Sequence, residues 1–260
     1  MKNNLNEQTI TNFEKLLQLV KILRSEDGCD WDKVQTRESL IPYFIEEVYE
    51  LVDSIDRKDY KNTKEELGDV MLHLVFQAQI SNERGAYTIN DVLENINTKL
   101  IDRHPHVFNE SSNPACNKTN WESQKYLEKE RKSRLDGVPN ILPSVIFSQR
   151  IQEKASLAGF DWDNIEDVWS KIEEEINELK IAQKKNDLKN IHEEIGDLLF
   201  TVINLSRHLG ISAENALRKS NQKFIRRFQL LECEISDLNK TIDECSSEDL
   251  NKLWDKIKSN

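Results

Sequence analysis

An all-α chain built from two copies of one domain is the fold this sequence predicts, and three observations predict it. First, five carboxylates recur in one pattern: Glu46, Glu47, Glu50, Glu66 and Asp69, then Glu174, Glu175, Glu178, Glu194 and Asp197, each 128 positions after its counterpart. Second, apolar residues recur every three or four positions through most of the chain, the period of a helix with one buried face. Third, turn formers are scarce. Seven Gly and five Pro in 260 residues, with 37% hydrophobic and 32% charged residues, suit a helical protein better than a β or disordered one. The length accommodates two domains of about 130 residues, each able to bury a core. The expected halves are residues 1–135 and 136–260.

Residues 11–24 place Phe13, Leu16, Leu17, Val20 and Leu23 on one helical face, with Thr11 or Asn12 as the cap. A Gly- and Asp-rich loop follows from Glu26 to Gln35. Helical periodicity resumes over 39–56, with Ser39 as candidate cap and Pro42 in the first turn, where its missing N–H is harmless. That helix carries Glu46, Glu47 and Glu50. The next, 63–81, carries Glu66 and Asp69, and another is expected over 88–103. Pro105, Pro114, Pro139 and Pro143 then mark loops and a linker. The second half replays this order, with helices over 141–157, 165–184, 188–209 and 212–235. Its Gly159 to Asp163 loop matches Gly28 to Asp32 at an offset of 131. Asn97, Lys99 and Arg103 match Asn221, Lys223 and Arg227 at 124, and Trp121 and Lys125 match Trp254 and Lys258 at 133. The offset changes only between motifs, as loop insertions in a duplicated domain require.

Both carboxylate sets read E-E-x-x-E, then fifteen residues, then E-x-G-D. With 47 acidic residues in 260, five specified positions are all acidic in roughly two of ten thousand starts, before a second copy is asked for. Glu47 and Glu50 share a helical face, as do Glu66 and Asp69, so two neighbouring helices can direct four carboxylates at one point. The same holds for Glu175, Glu178, Glu194 and Asp197. Oxygen-only clusters suit hard divalent cations, and Mg²⁺ keeps positions for water and substrate phosphates. Most acidic helices merely solvate a surface. Here, however, Asp69 sits among Leu67, Val70, Met71 and Leu72, and Asp197 among Ile195, Leu198, Leu199 and Phe200. A carboxylate in such an apolar setting is expected to be buried and to need a cation or several donors. Gly68 and Gly196 each weaken a helix by about 1 kcal/mol relative to Ala and are expected to admit a close approach of backbone or substrate.

Several function classes fall away. A net charge of −11 argues against sequence-independent nucleic-acid binding, which needs a basic surface. Cys29, Cys116, Cys233 and Cys245 form no C-x-x-C pair and read as reduced thiols of a cytoplasmic protein. No apolar run approaches the roughly 18 residues of a membrane span. His104 and His106 flank Pro105 without a third ligand at useful spacing, against zinc. None of the five histidines has Glu three residues before it, against a di-iron bundle. No G-x-x-x-x-G-K-[ST] loop is present, so a triphosphate would have to be held by metal and side chains.

The motifs resemble the MazG-type nucleoside triphosphate pyrophosphohydrolases in their two-domain bacterial form. The similarity spans nearly the whole chain: both carboxylate sets, Trp31 to Leu51, Arg103 to Phe108, Leu135 to Pro143, Lys154 to Trp162, Ile195 to Gly210 and Lys219 to Phe228. One departure is Asp30, where the family often has proline. The resemblance implies four-helix cores, a homodimer, and Mg²⁺-dependent hydrolysis of NTPs or dNTPs to monophosphate and pyrophosphate, with Mn²⁺ as a substitute. It implies Glu175, Glu178, Glu194 and Asp197 as metal ligands, Glu174 as a group that positions water or a further ion, and the C-terminal half as the main catalytic domain. Glu47, Glu50, Glu66 and Asp69 form a second metal set. Lys223 and Arg227, four apart on one helix, are candidates to hold phosphate oxygens. Trp254 and Lys258 are candidates to stack on the base and reach a phosphate. A non-enzymatic helical module that senses nucleotides or binds a partner stands as the alternative.

Overall fold

The computed structural model describes residues 7–108 and 132–259, which fall into two compact units, one within residues 1–116 and the other within 117–260. Among the described residues every regular element is a helix. Cys116, Trp121, Lys125 and the side chain of His106 lie outside them.

The first unit comprises α1 (Glu7–Leu23), α2 (Asp30–Val34), α3 (Ile41–Asp56), α4 (Tyr60–Glu83), α5 (Ile89–Arg103) and the one-turn α6 (Pro105–Phe108). α3 and α4 form a helical hairpin, and α1 and α5 pack on α4. The core joins Val20 and Leu40 to Val75, Phe76 and Ile80, with Phe13, Leu16, Leu17 and Leu72 against it. The apolar face read from α1 is therefore the buried one. Arg24, just past α1, bonds Glu83 at the end of α4 and the carbonyls of Asp32 and Gln35, which ties the α2 segment to the hairpin.

The second unit comprises α7 (Ser144–Leu157), α8 (Ile165–Lys185), α9 (Leu188–His208), α10 (Ala213–Asp237), a 3-10 turn (Ile242–Glu244) and α11 (Ser247–Ser259). α8 and α9 form the equivalent hairpin around Val168, Ile172 and Leu205. α10 and α11 close a separate small core of Leu231, Ile235 and Ile257.

Four local expectations are corrected. α1 already runs through Thr11 and Asn12, so neither caps it, and the Thr11 hydroxyl donates to the Glu7 carbonyl at 3.0 Å. Ser39 does not cap α3 either. It exchanges hydrogen bonds with Thr36 at 2.9 and 3.0 Å in the preceding turn, and Leu40 occupies the cap position. The Glu26 to Gln35 loop contains the short α2. α11 was not foreseen, because its polar composition hides a narrow stripe of Leu250, Leu253, Trp254 and Ile257, spaced three, one and three residues apart.

Both hairpins leave a second apolar stripe uncovered. Leu67, Met71 and Leu74 on α4 are exposed, and so are their counterparts Ile195, Leu199 and Val202 on α9. Gly68 and Gly196 lie beside these stripes, and a Cβ at either would meet nothing within 4 Å. Among the described residues none makes the close approach expected at the two glycines.

Candidate metal and nucleotide site

The geometry of each carboxylate cluster begins at a turn. Lys58 and Asn186, which are 128 residues apart, adopt left-handed backbone at φ 57° and 51°. Asn tolerates this region better than Lys. The next residue in each case, Asp59 or Asp187, caps the following helix by accepting from backbone N–H groups at 3.2 Å. This short reversal, three residues in the first unit and two in the second, fixes the hairpin register. Glu178 and Glu194 stand eight residues before and after Asn186, and Glu175 and Asp197 stand eleven before and after it. At 1.5 Å rise per residue the two pairs lie about 12 and 16 Å from the turn, each at equal height on facing helices. Lys58 is the same centre for Glu50 and Glu66, and for Glu47 and Asp69.

In the second unit, Glu175, Glu194 and Asp197 each offer an oxygen within 4.8 Å of the others. Partial burial and the charges of Glu178, Glu175, Asp197 and Glu193 raise the Glu194 carboxyl above the ordinary glutamate range. The burial pattern differs from the expectation. Asp197 is exposed, because its apolar neighbours Ile195 and Leu199 belong to the uncovered stripe, and Glu175 is the buried carboxylate at 4% exposure. Its partner is Lys171, one turn earlier on α8, whose Nζ lies 2.7 Å from Glu175 and 2.8 Å from Glu174. Hydrogen bonds donated to the Glu174 and Glu175 carboxylates raise the Lys171 ammonium above its usual range. Lys171 went unread in the sequence, although its position three and four residues before two glutamates was the signal. The donor set is oxygen only and crowded with negative charge, which fits a hard divalent cation.

The first unit brings together Glu47, Glu66 and Asp69 within the same 4.8 Å limit. Asp69 is half-buried. Burial and the charges of Asp69, Glu50, Glu66 and Glu46 raise Glu47; burial and Glu50, Asp69 and Glu65 raise Glu66, which also shares a hydrogen bond with Glu50.

A cavity of about 650 Å³ opens beside the second cluster. Its lining combines the charged Lys171, Glu175 and Asp197 with the apolar Ile151, Ala155, Phe160, Trp162 and Phe200. Asp161, from the duplicated G-x-D-W-D loop, also borders it. Arg207 grips Asp161 with both terminal nitrogens, and His208 Nε2 lies 3.1 Å away. Burial alone would raise Asp161, but the Arg207 and Ser156 hydrogen bonds and the Arg207 charge outweigh it and hold the carboxyl at about 2. The loop is thereby pinned to α9 at the mouth of the cavity.

Comparison with known proteins bears on this arrangement. The MazG nucleotide pyrophosphohydrolase domain matches residues 35–108 and 164–230, the segments that hold the two hairpins. The chain belongs to the MazG family. It is 48% identical over 248 residues to the nucleoside triphosphate pyrophosphohydrolase/pyrophosphatase MazG of Thermotoga maritima, covering 95% of each chain. It is 39% identical over 257 residues to the nucleoside triphosphate pyrophosphohydrolase of Escherichia coli K12, covering 96% of this chain and 98% of that one. The similarly named protein of Mycobacterium tuberculosis is 36% identical over 132 residues, half of this chain and 41% of that one.

The two halves of this MazG chain differ around the shared carboxylates. At the constant offset, Lys171 corresponds to Tyr43 and Asn204 to Phe76. Tyr43 packs edge-on against Trp31, and Phe76 belongs to the first core. The first cluster therefore lacks the intrahelical lysine, and an apolar side chain replaces the polar cavity wall. Its own depression, about 380 Å³, is lined by Glu46, Tyr49, Glu50, Asp53, Arg57 and Glu66.

The structure does not gather the four basic and aromatic candidates of the MazG resemblance at the cavity. Lys223 and Arg227 lie on α10, and Trp254 and Lys258 lie on α11, and none lines it. Trp254 packs on Phe224 at 5.4 Å, and Lys258 pairs with Asp255 while standing 6.0 Å from the Trp254 ring.

Proposed function

We propose that this chain hydrolyses nucleoside triphosphates, NTPs or dNTPs, to monophosphate and pyrophosphate, as house-cleaning of a cytoplasmic nucleotide pool. The observation that carries the reading is the cluster of the buried Glu175 with Glu194 and Asp197, of which Glu175 and Asp197 line a cavity of about 650 Å³. The names of the relatives agree with it. Residues 136–260 form the main catalytic domain and 1–135 its duplicate.

Glu175, Glu178, Glu194 and Asp197 hold Mg²⁺, with Mn²⁺ as a substitute. A divalent cation held there would neutralise triphosphate charge and lower the pKa of a bound water. Glu174, exposed and paired with the cavity-lining Lys171, would orient the attacking water and receive its proton. The water oxygen bonds to the α-phosphorus, the bond to the bridging oxygen breaks, and that electron pair leaves with pyrophosphate. Lys171 exchanges its carboxylate partners for phosphate oxygens as the cation arrives. Lys223 and Arg227 are the candidates for further phosphate oxygens, and Trp254 and Lys258 for stacking on the base and reaching a phosphate, from helices that do not line the cavity. Asp197 lies eleven residues before the end of α9 and Lys223 ten residues after the start of α10, which supports similar heights on consecutive helices.

The uncovered stripes support a homodimer in which hairpins pair to complete four-helix cores, burying Ile195, Leu199 and Val202 and their counterparts. A second reading applies to the first half. Tyr43 and Phe76, in place of Lys171 and Asn204, favour a cation-binding interaction or regulatory module without turnover.

The test is product analysis with Mg²⁺ and a panel of NTPs and dNTPs, on wild type, Glu50→Gln and Glu178→Gln. Monophosphate with stoichiometric pyrophosphate, lost only in Glu178→Gln, is expected. Diphosphate with orthophosphate refutes attack at the α-phosphorus, and loss only in Glu50→Gln moves the active site to the first half.

A further inference from the structure

We infer that Asp161 and Arg207 are a positioning pair: by clamping the loop after α7 to α9 they hold Phe160 and Trp162 in advance on the cavity wall, so that nucleotide affinity depends on the clamp while the hydrolytic step does not. The inference deepens the proposed function and rests on it for the identity of the ligand as a nucleoside triphosphate.

The chain leaves α7 through Gly159, whose φ of 88° suits a residue without a Cβ, and the Phe160 N–H donates to the Ala155 carbonyl at 3.0 Å. Asp161 then carries the loop's attachments. Its carboxylate accepts from both terminal nitrogens of Arg207, from the Ser156 hydroxyl and from the Trp162 N–H at 2.9 Å, with His208 Nε2 at 3.1 Å. A carboxylate has about four lone-pair sites, so these partners leave Asp161 little capacity for a metal ion or a substrate. An arginine on a cavity wall invites a phosphate-binding reading, yet Arg207 is also committed. Its two terminal nitrogens face Asp161, its Nε donates to the Asn204 Oδ1 at 3.0 Å, and its side chain is only 13% exposed. Both residues therefore act through the loop. Phe160 and Trp162 flank Asp161 in sequence and line the cavity together with Lys171, Glu175 and Asp197, so a nucleotide bound there meets surface that the clamp holds in place.

The duplicated half provides an internal comparison. Asp30 stands where Asp161 does, at the loop's offset of 131, and Gln79 stands where Arg207 does, at 128. No clamp joins them. The Asp30 side chain is 95% exposed and pairs with Lys33, while Gln79 Nε2 donates to Glu83 at 2.9 Å. Trp31, the counterpart of Trp162, packs edge-on against Tyr43, and it is not among the residues that line the depression beside Glu50 and Glu66. The same loop sequence thus lines a cavity beside the acids in the half where its aspartate is gripped from the hairpin.

The experiment measures binding and turnover separately on the full chain. Calorimetric titration with the α,β-methylene analogues of ATP, GTP, CTP and UTP in Mg²⁺ gives Kd without turnover, because carbon replaces the bridging oxygen that would leave. Pyrophosphate release from the matching triphosphates gives kcat. Asp161→Asn keeps the side chain's shape and an acceptor for the Trp162 N–H but no longer offers Arg207 two acceptor oxygens, and Arg207→Met removes the other partner. Each is expected to weaken the Kd of the best-bound analogue about tenfold, the cost of ordering on binding two side chains that wild type holds in advance, with kcat within about twofold of wild type. The double variant is expected to bind no more weakly than either single one, since a clamp is lost with its first partner. Arg207→Lys, which keeps the charge without the two-pronged contact, is expected to fall between wild type and Arg207→Met. Weaker binding in Arg207→Met alone would put the guanidinium on phosphate, and a lower kcat in Asp161→Asn at unchanged Kd would put the carboxylate in the chemistry. Either result, additive losses in the double variant, unchanged Kd in both single variants, or no analogue binding by wild type overturns the inference. Clamp-dependent binding by a wild type that releases no pyrophosphate supports the clamp and refutes the hydrolytic reading alone.

Discussion

Replacing Lys171 with methionine tests whether its ammonium stands in for a metal ion. The Glu175 side chain is 5% exposed and Lys171 31% exposed, so the pair lies between a solvated ion pair and a fully buried one. Exposed pairs contribute roughly 0–1 kcal/mol, and breaking a buried pair costs about 3–5 kcal/mol because a bare charge is left behind. Discounted for the exposed half, Lys171→Met should destabilise the metal-free second unit by about 2 kcal/mol. At about 2–4 °C per kcal/mol for a domain of this size, its calorimetric transition should fall by about 4–8 °C in chelator. Saturating Mg²⁺ supplies the missing positive charge, so the gap between variant and wild type should shrink to about a third or less. Wild type should bind Mg²⁺ less tightly than the variant, because the cation must first displace the ammonium. Equal losses with and without Mg²⁺, or no loss in either, would refute the idea that Lys171 and the cation share one role.

Mg²⁺ affinity should rise with pH across the acidic range, because Glu47, Glu66 and Glu194 have raised pKa values and must release protons to bind the ion; calorimetry in buffers of different ionisation enthalpy counts those protons. Arg207→Met should cost about 2 kcal/mol in urea unfolding at neutral pH through loss of charge-assisted bonds to Asp161. Because the folded Asp161 carboxyl is depressed to about 2 from 3.8, that contribution is complete above about pH 5 and fades as pH falls through the folded value, so the two proteins should converge near pH 2. Leu199→Asp should shift the species seen by light scattering toward monomer, since Leu199 is the middle residue of the uncovered α9 stripe.

Much of the site was legible because it is written in local periodicities. The five-residue carboxylate pattern, its copy 128 residues later and the intervening helices follow from spacing along helices, which sequence records directly. The symmetry of the ligands about Lys58 and Asn186 was also present, though it acquires meaning only once those residues are known to reverse the chain. The expected burial of Asp197 failed for a definite reason. Apolar neighbours show that a helix face must be covered, but not by what, and among the described residues nothing covers Ile195 and Leu199. α11 escaped notice because four apolar residues in a polar tail make a stripe just wide enough to meet α10.

The sequence by itself determined the class of the fold, its duplication, the helices that carry the acids and the oxygen-rich chemistry of the two clusters, since each depends on residue types at fixed intervals within an element. Only the tertiary structure decided which carboxylate is buried, that Lys171 neutralises it, that Asp161 is clamped by Arg207 and His208, and that a cavity with Gln152 on its wall opens beside the second cluster. Those features join residues far apart in the chain, 48 positions in the case of Gln152 and Phe200, and depend on how helices pack against one another. Packing is set by the sum of many weak apolar contacts, and no single interval in the sequence encodes it.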